Sequence, residues 1–303
     1  METIQVQSIS QIHHMLGFEP PSHPLITLLD VSALEQFDRQ DQASFQTDLY
    51  TIALKVGSEC DITYGRKTYD FNQGSLVFSE PGQVTTISSE GSSSGARGRI
   101  LCFHPDLLAG SSLAKTIGDY TFFAYSNNEA LHLSAREKET ISSLVTLLET
   151  EYTLNLDTYS NNIITSNLEV LLNYCERFYG RQFITRKAVH LKGVAKFEAL
   201  LKERMTTEVL GDKGIPTVKE LADTMGYSSN YLSDLLMKET GRRTQDHIHD
   251  FIIKEAKNLL LGTNDTITQI AYLLGYEYPE HFGKLFKKKV GVTPSQFRQG
   301  DPG

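Results

Sequence analysis

Lys284, Lys287, Lys288 and Lys289 put four ammonium groups into six consecutive positions, and the chemistry such a run performs is neutralisation of phosphate. Catalytic chemistry has no comparable foothold. The three cysteines, Cys60, Cys102 and Cys175, lie far apart and form no C-x-x-C, so neither a disulfide framework nor a zinc knuckle is read from them. They are expected to be small apolar residues in a reducing cytosol. From Phe45 to Phe103 there is no histidine, and His104, followed by Pro105-Asp106, reads as a loop leading into a helix start rather than a metal ligand. No Ser-His-Asp order or Gly-rich phosphate loop is recognised. No catalytic residue, metal or cofactor is assigned, and the chain is not expected to be an enzyme.

A lysine run is more often a solvated face than a binding site, so its meaning depends on the elements around it. Those elements form a duplicated unit. The segment from Thr217 to Tyr227, TVKELADTMGY, recurs from Thr266 to Tyr276 as TITQIAYLLGY, and each copy continues into a polar turn and a second helical run. The copies close on Lys238-Glu239-Thr240-Gly241 and Lys288-Lys289-Val290-Gly291. Ala222 and Ala271 are small enough for a crossing helix to approach, and Gly226 and Gly275, four residues later, suit the positive φ of a tight turn. Leu232 and Phe282 then lock the second helix from beneath, which gives two helix-turn-helix motifs whose intervening positions face outward. The second copy has one extra residue in its turn, at Glu277-Tyr278-Pro279.

Between the copies, Asp246 to Leu261 reads as a single spacer helix with Gly262 beyond its end. A spacer that holds two recognition helices roughly 34 Å apart matches successive major-groove segments on one DNA face. A helical solenoid is the bland alternative, but solenoids need about three or more similar units to bury a continuous core.

The front half changes character. Runs at 49–54, 62–64, 75–78 and 100–103 are rich in β-branched and aromatic residues, and turn-forming clusters separate them, which predicts a small antiparallel barrel or sandwich. Ser134 with Glu137 forms a capping-box signature ahead of one helix. A second helix begins near Ser160 and stops at Gly180; its stripe of Ile164, Leu168, Leu171 and Cys175 is either core or the seam of a dimer. The expected division is 1–182, a linker at 183–192, and 193–303. The net charge of −8 is unevenly spread: residues 1–191 carry 13 Lys and Arg against 22 Asp and Glu, whereas 192–303 carry 16 against 15. Any nucleic-acid binding must therefore rest on local clusters. Neither a leader nor a run of some 18 uncharged apolar residues is present, so a cytoplasmic chain without membrane contact is expected.

With the repeat in place, Thr217 to Arg298 resembles the AraC/XylS family of transcription regulators. The resemblance is most specific in its closing stretch, Gly275-Tyr276, Phe282, Leu285-Phe286-Lys287-Lys288 and Gly291-Val292-Thr293-Pro294-Ser295-Gln296-Phe297-Arg298. The front half is similar to the cupin-like sensor domains of such regulators, and Leu172 to Phe183 looks like the segment that follows the sensor in some of them. Departures occur at Thr244, where Pro is usual, at Ile252, where Arg is common, and at Leu236, which replaces Phe.

The resemblance implies an N-terminal cupin-like barrel with trailing helices and an all-α C-terminal domain. It also implies that Ser229, Asn230, Ser233 and Asp234 of the first recognition helix face bases, with Pro279, Glu280, His281 and Lys284 in the second. Of these, Lys284 is the best candidate for a guanine contact. Lys287, Lys288 and Lys289, with Thr293 and Ser295 near a helix start, are expected to hold phosphates.

The implied partners are double-stranded DNA, a small-molecule effector and a second copy of the chain; contact with RNA polymerase is left open. Gln83 stands where metal-binding cupins offer a histidine, which counts against a cupin-type metalloenzyme fused to a DNA anchor. A regulator whose front half only dimerises or meets a protein partner is the other alternative.

Overall fold

A computed structural model describes residues 3–30, 43–56, 74–87, 97–154, 156–185 and 187–300. The chain divides into two compact units, Met1–Thr185 and Arg186–Gly303. The expected strand at 62–64 and Cys60 lie outside the described residues.

In the first unit, β1 (Thr3–Val6), β3 (Ala43–Thr47) and β6 (Val84–Ile87) form one sheet in the order β1-β3-β6. A second sheet has the order β2-β7-β4-β5-β8, with β2 (Ile26–Asp30), β4 (Tyr50–Val56), β5 (Ser75–Ser79), β7 (Arg97–Phe103) and β8 (Leu131–His132). All the pairings of the second sheet are antiparallel. Its register sets Ile52 opposite Phe78 and Leu101, and Leu54 opposite Leu76, so that alternate residues of neighbouring strands share one buried face. Phe122 closes over that face with its ring centroid 4.6 Å from that of Phe78. The runs at 49–54, 75–78 and 100–103 therefore lie in or across strands, while β1, β2, β3, β6 and the short helix α1 (Ile9–Met15) carried too little alternation to be read.

After a short helix α2 (Leu113–Thr116), α3 (Ala135–Thr153) begins at the expected cap: Ser134 Oγ accepts from the Glu137 amide, and the Glu137 carboxylate accepts from the Ser134 amide. α4 (Ser160–Thr185) packs along α3.

Ile164, Leu168, Leu171 and Cys175, offered as a self-association seam, are fully buried within the single chain, so their stripe is core. Gly180 does not stop the helix. The interior glycine costs about 1 kcal/mol relative to alanine, but the turns beyond it are fastened to the sheet: buried Gln182 accepts from the His132 amide at 2.8 Å and donates to Ala130 O at 3.1 Å. Arg181 adds bonds to His132 O and to Glu137.

The second unit is helical among its described residues, from α5 (Lys187–Arg204) and α6 (Thr207–Lys213) onward. Two helix pairs follow, α7 (Val218–Met225) with α8 (Ser229–Thr240), and α10 (Ile267–Leu273) with α11 (Pro279–Val290). The single helix α9 (Thr244–Gly262) joins them, and α12 (Pro294–Gln299) closes the unit. The stretch at 183–192 read as a linker holds the end of α4 and the start of α5. One apolar core, including Phe197, Leu221, Leu232, Leu236, Ile248, Ile252, Ile270 and Phe282, runs through both pairs and α9. Ile252, which stands where an arginine is common, is thus wholly inside the core. Among the described residues no helix is long and apolar enough to cross a membrane.

Candidate nucleic-acid interface

Each helix pair is started and turned by the same local chemistry. Thr217 and Glu220 form a capping box, with amide-to-side-chain distances of 3.2 and 2.7 Å; Thr266 and Gln269 repeat it at 3.2 and 2.8 Å. Bonds from the Thr217 amide and hydroxyl hold the Glu220 carboxyl below the usual carboxylate range. The turns then use glycine at positive φ, 75° at Gly226 and 79° at Gly275. The residue after each glycine donates back to the small alanine, Tyr227 N to Ala222 O at 2.9 Å and Tyr276 N to Ala271 O at 3.0 Å. Ala222, Leu232, Ala271 and Phe282 are fully buried where the helices cross. The extra residue of the second turn delays α11, which starts four positions after its glycine, whereas α8 starts three after its own.

The outward faces of the two pairs differ. On α8, Asn230 is exposed, and Ser229 and Asp234 are half-buried. Ser233, expected to face bases, is instead engaged with the spacer: its hydroxyl lies 3.1 Å from that of Thr244, which is completely buried at the first position of α9. The departure from Pro to Thr at this site creates that contact, since proline has no hydroxyl to offer.

On α11, Glu280, His281 and Lys284 are exposed, and Pro279 occupies the first helical position, where its missing N–H costs nothing. Tyr278, at the helix cap, is 57% exposed and sets its ring 5.6 Å from the imidazole of His281. Sequence reasoning did not single out Tyr278, an exposed aromatic directly before the proline that opens α11.

Lys287 and Lys288 project into solvent. Lys289 is engaged within the chain. Its Nζ lies 3.2 Å from Asp250 and 3.4 Å from Asp246, both on α9. Burial works against the Lys289 ammonium, but the Asp250 and Asp246 carboxylates outweigh it and hold its pKa above the ordinary lysine value. Burial likewise disfavours the Asp246 carboxylate, and Lys289 overcomes it to hold Asp246 below the usual range. Lys289, exposed like its two neighbours, is thus matched by two carboxylates of its own chain. Thr293 is also committed, as the cap of α12: its hydroxyl donates to Gln296 Oε1 at 2.9 Å and accepts from the Gln296 amide at 3.3 Å. Ser295, one position into that helix, is exposed.

In the first unit, His104 caps the short turn Pro105–Leu108 by accepting from the Asp106 amide at 3.2 Å. Among the described residues no three His, Cys, Asp or Glu gather as a metal site.

Two family models match this chain. A helix-turn-helix domain covers residues 221–300, and an AraC-like ligand binding domain covers residues 37–152. The HTH-type transcriptional regulator YobQ of Bacillus subtilis is 34% identical over 82 residues, covering 27% of this chain and 34% of that protein. The HTH-type transcriptional activator RhaS of Escherichia fergusonii is 31% identical over 80 residues, covering 26% of this chain and 29% of that protein. The matched stretch thus spans about a third of these curated relatives. Among solved structures, the C-terminal domain of the two-component response regulator yesN from Fusobacterium nucleatum is 29% identical at a TM-score of 0.32, covering 35% of this chain and 98% of that one.

Proposed function

This chain belongs to the AraC family of transcription regulators, and from that premise we propose that it is a sequence-specific DNA-binding regulator governed by a small molecule held in its first unit. The observation that carries the reading is the duplication: two helix pairs with matching caps, alanines and glycines flank one spacer helix and share one core. Both pairs are proposed to work as helix-turn-helix motifs, α8 and α11 entering successive major-groove segments of one DNA face.

The roles are unequal. On α11, Lys284 donates to a guanine edge, His281 and Tyr278 flank it, and Lys287 and Lys288 hold phosphates. On α8, Asn230 is the foremost base reader, and no cation stands among Ser229, Asn230, Ser233 and Asp234. Most of the electrostatic attraction therefore comes from the second pair.

The sheets of the first unit are proposed to form a cupin-like sensor, with the boundary between sensor and DNA-binding functions inside residues 183–192. Two protomers are proposed to associate through the first unit. Since Ile164, Leu168, Leu171 and Cys175 are interior, the surface offered is the outward side of α4, where Ile163 and Val170 are each 42% exposed. Contact with RNA polymerase is a further role open to such a regulator.

Selection of duplexes from a random-sequence library by the full chain tests the function. Convergence on one motif supports it, and recovery of unrelated sequences of equal affinity refutes it. A saturable rise in melting temperature with a small molecule supports the sensor; if none is found across metabolite panels, a front half that only dimerises or meets a protein becomes the better account.

A further inference from the structure

We propose that Asp250 is a positioning residue that fixes the spacing at which the two helix pairs meet DNA, an inference that rests on the DNA-binding reading above. Asp246 and Asp250 stand one turn apart on the same face of α9. Arg242 directly follows Gly241, which closes α8, and its Nη1 pairs with Asp250 Oδ2. Lys289 comes from the last turn of α11, and its Nζ meets the other oxygen, Asp250 Oδ1, at 3.2 Å. A single carboxylate thus takes one cation from the end of each recognition helix, and Asp246 Oδ1, 3.4 Å from the same Nζ, steadies the second.

The two sides of this strap are not equivalent. The first pair has other polar ties to the spacer, from Ser233 to Thr244 and from Thr240 Oγ1 to His247 Nε2 at 2.9 Å. Among the described residues, Lys289 supplies the polar ties between α11 and α9. The apolar core presses α11 against the spacer, but such contacts tolerate small sliding and rotation. The directed contacts at Asp246 and Asp250 fix where the last turn of α11 settles. Arg242 and Asp250 are 61% and 38% exposed, so the strap contributes little to stability as an ion pair. Its consequence is geometric. The two cations and two carboxylates also balance, which leaves Lys289 no unmatched charge for a phosphate.

The test uses the full chain and two probes: the duplex that wild type recovers from a random library, and that duplex with one base pair inserted between its two protected segments. Wild type is expected to lose about tenfold in affinity on insertion, the scale of a single misplaced base contact. Asp250→Asn is expected to lose less than about threefold, because α11 can follow the shifted groove, and Asp250→Glu is expected to restore most of the discrimination. Lys289→Ala should relax spacing in the same way while leaving the salt slope of binding unchanged, since a lysine already matched by carboxylates releases no counterion.

Undiminished tenfold discrimination in folded Asp250→Asn overturns the proposal. So does Lys289→Ala that keeps its discrimination and lowers the salt slope by about one, the mark of a phosphate contact. A wild-type chain with no preferred duplex overturns the DNA-binding reading itself, and this inference with it.

Discussion

A Cβ on Gly275 would stand 2.9 Å from the carbonyl oxygen of Leu210, whereas a Cβ on the equivalent Gly226 would meet nothing within 4 Å. The two glycines take the same left-handed conformation, φ 75° and 79°, in different surroundings. Gly226→Ala meets only the cost of a left-handed alanine, about 1–2 kcal/mol. Gly275→Ala adds a clash with the backbone of the α6–α7 turn and should cost clearly more, about 3 kcal/mol or above. Chemical denaturation of the two variants checks the order; equal losses would mean that the α6–α7 turn yields freely.

Lys284 and Lys288 should differ in kind. Lys284→Ala is expected to cost about 1–3 kcal/mol on the selected duplex and much less on random DNA. Lys288→Ala should weaken both DNAs alike and lower the salt slope by about one. Titrations at several salt concentrations decide, and equal losses on both DNAs for Lys284→Ala would make it a phosphate contact.

The α4 stripe supplies a third test. Leu168→Ala opens a cavity in a fully buried site and should cost about 2–5 kcal/mol of stability while leaving any association unchanged. Val170→Asp, on the exposed side, should barely alter stability and should weaken the dimer. Sedimentation velocity with thermal melts separates the two, and dimer loss in Leu168→Ala without loss of stability would restore the seam.

Burial pushes the Cys102 thiol up to about 12 and drives that of Cys175 up as well. Neither forms appreciable thiolate at pH 8. In a Cys60→Ser background, a disulfide reagent should leave the native chain unlabelled and react only on unfolding. Rapid labelling of folded protein would show that one of these sites opens.

What could be read from sequence was what short range decides. The capping box at Ser134, the Ala and Gly of each turn and the extra residue before α11 are all fixed within a few positions. What escaped reading depends on distant partners. Lys289 meets carboxylates 39 and 43 positions away, and Ser233 meets Thr244 11 positions on across the α8–α9 turn, so both looked free for DNA. The stripe of α4 had the right period for either core or seam, and only packing on α3 and the sheet distinguishes them. Helix α4 continues past Gly180 because Arg181 and Gln182 bond to β8, some 50 positions earlier.

The central claim, that one chain reads DNA with both helix pairs, is tested most directly by hydroxyl-radical footprinting of the full chain on its selected duplex. Each bound chain should protect two segments on one DNA face, with centres about one helical turn, roughly 34 Å, apart. A single protected segment per chain, or protection no stronger than on random DNA, would contradict it.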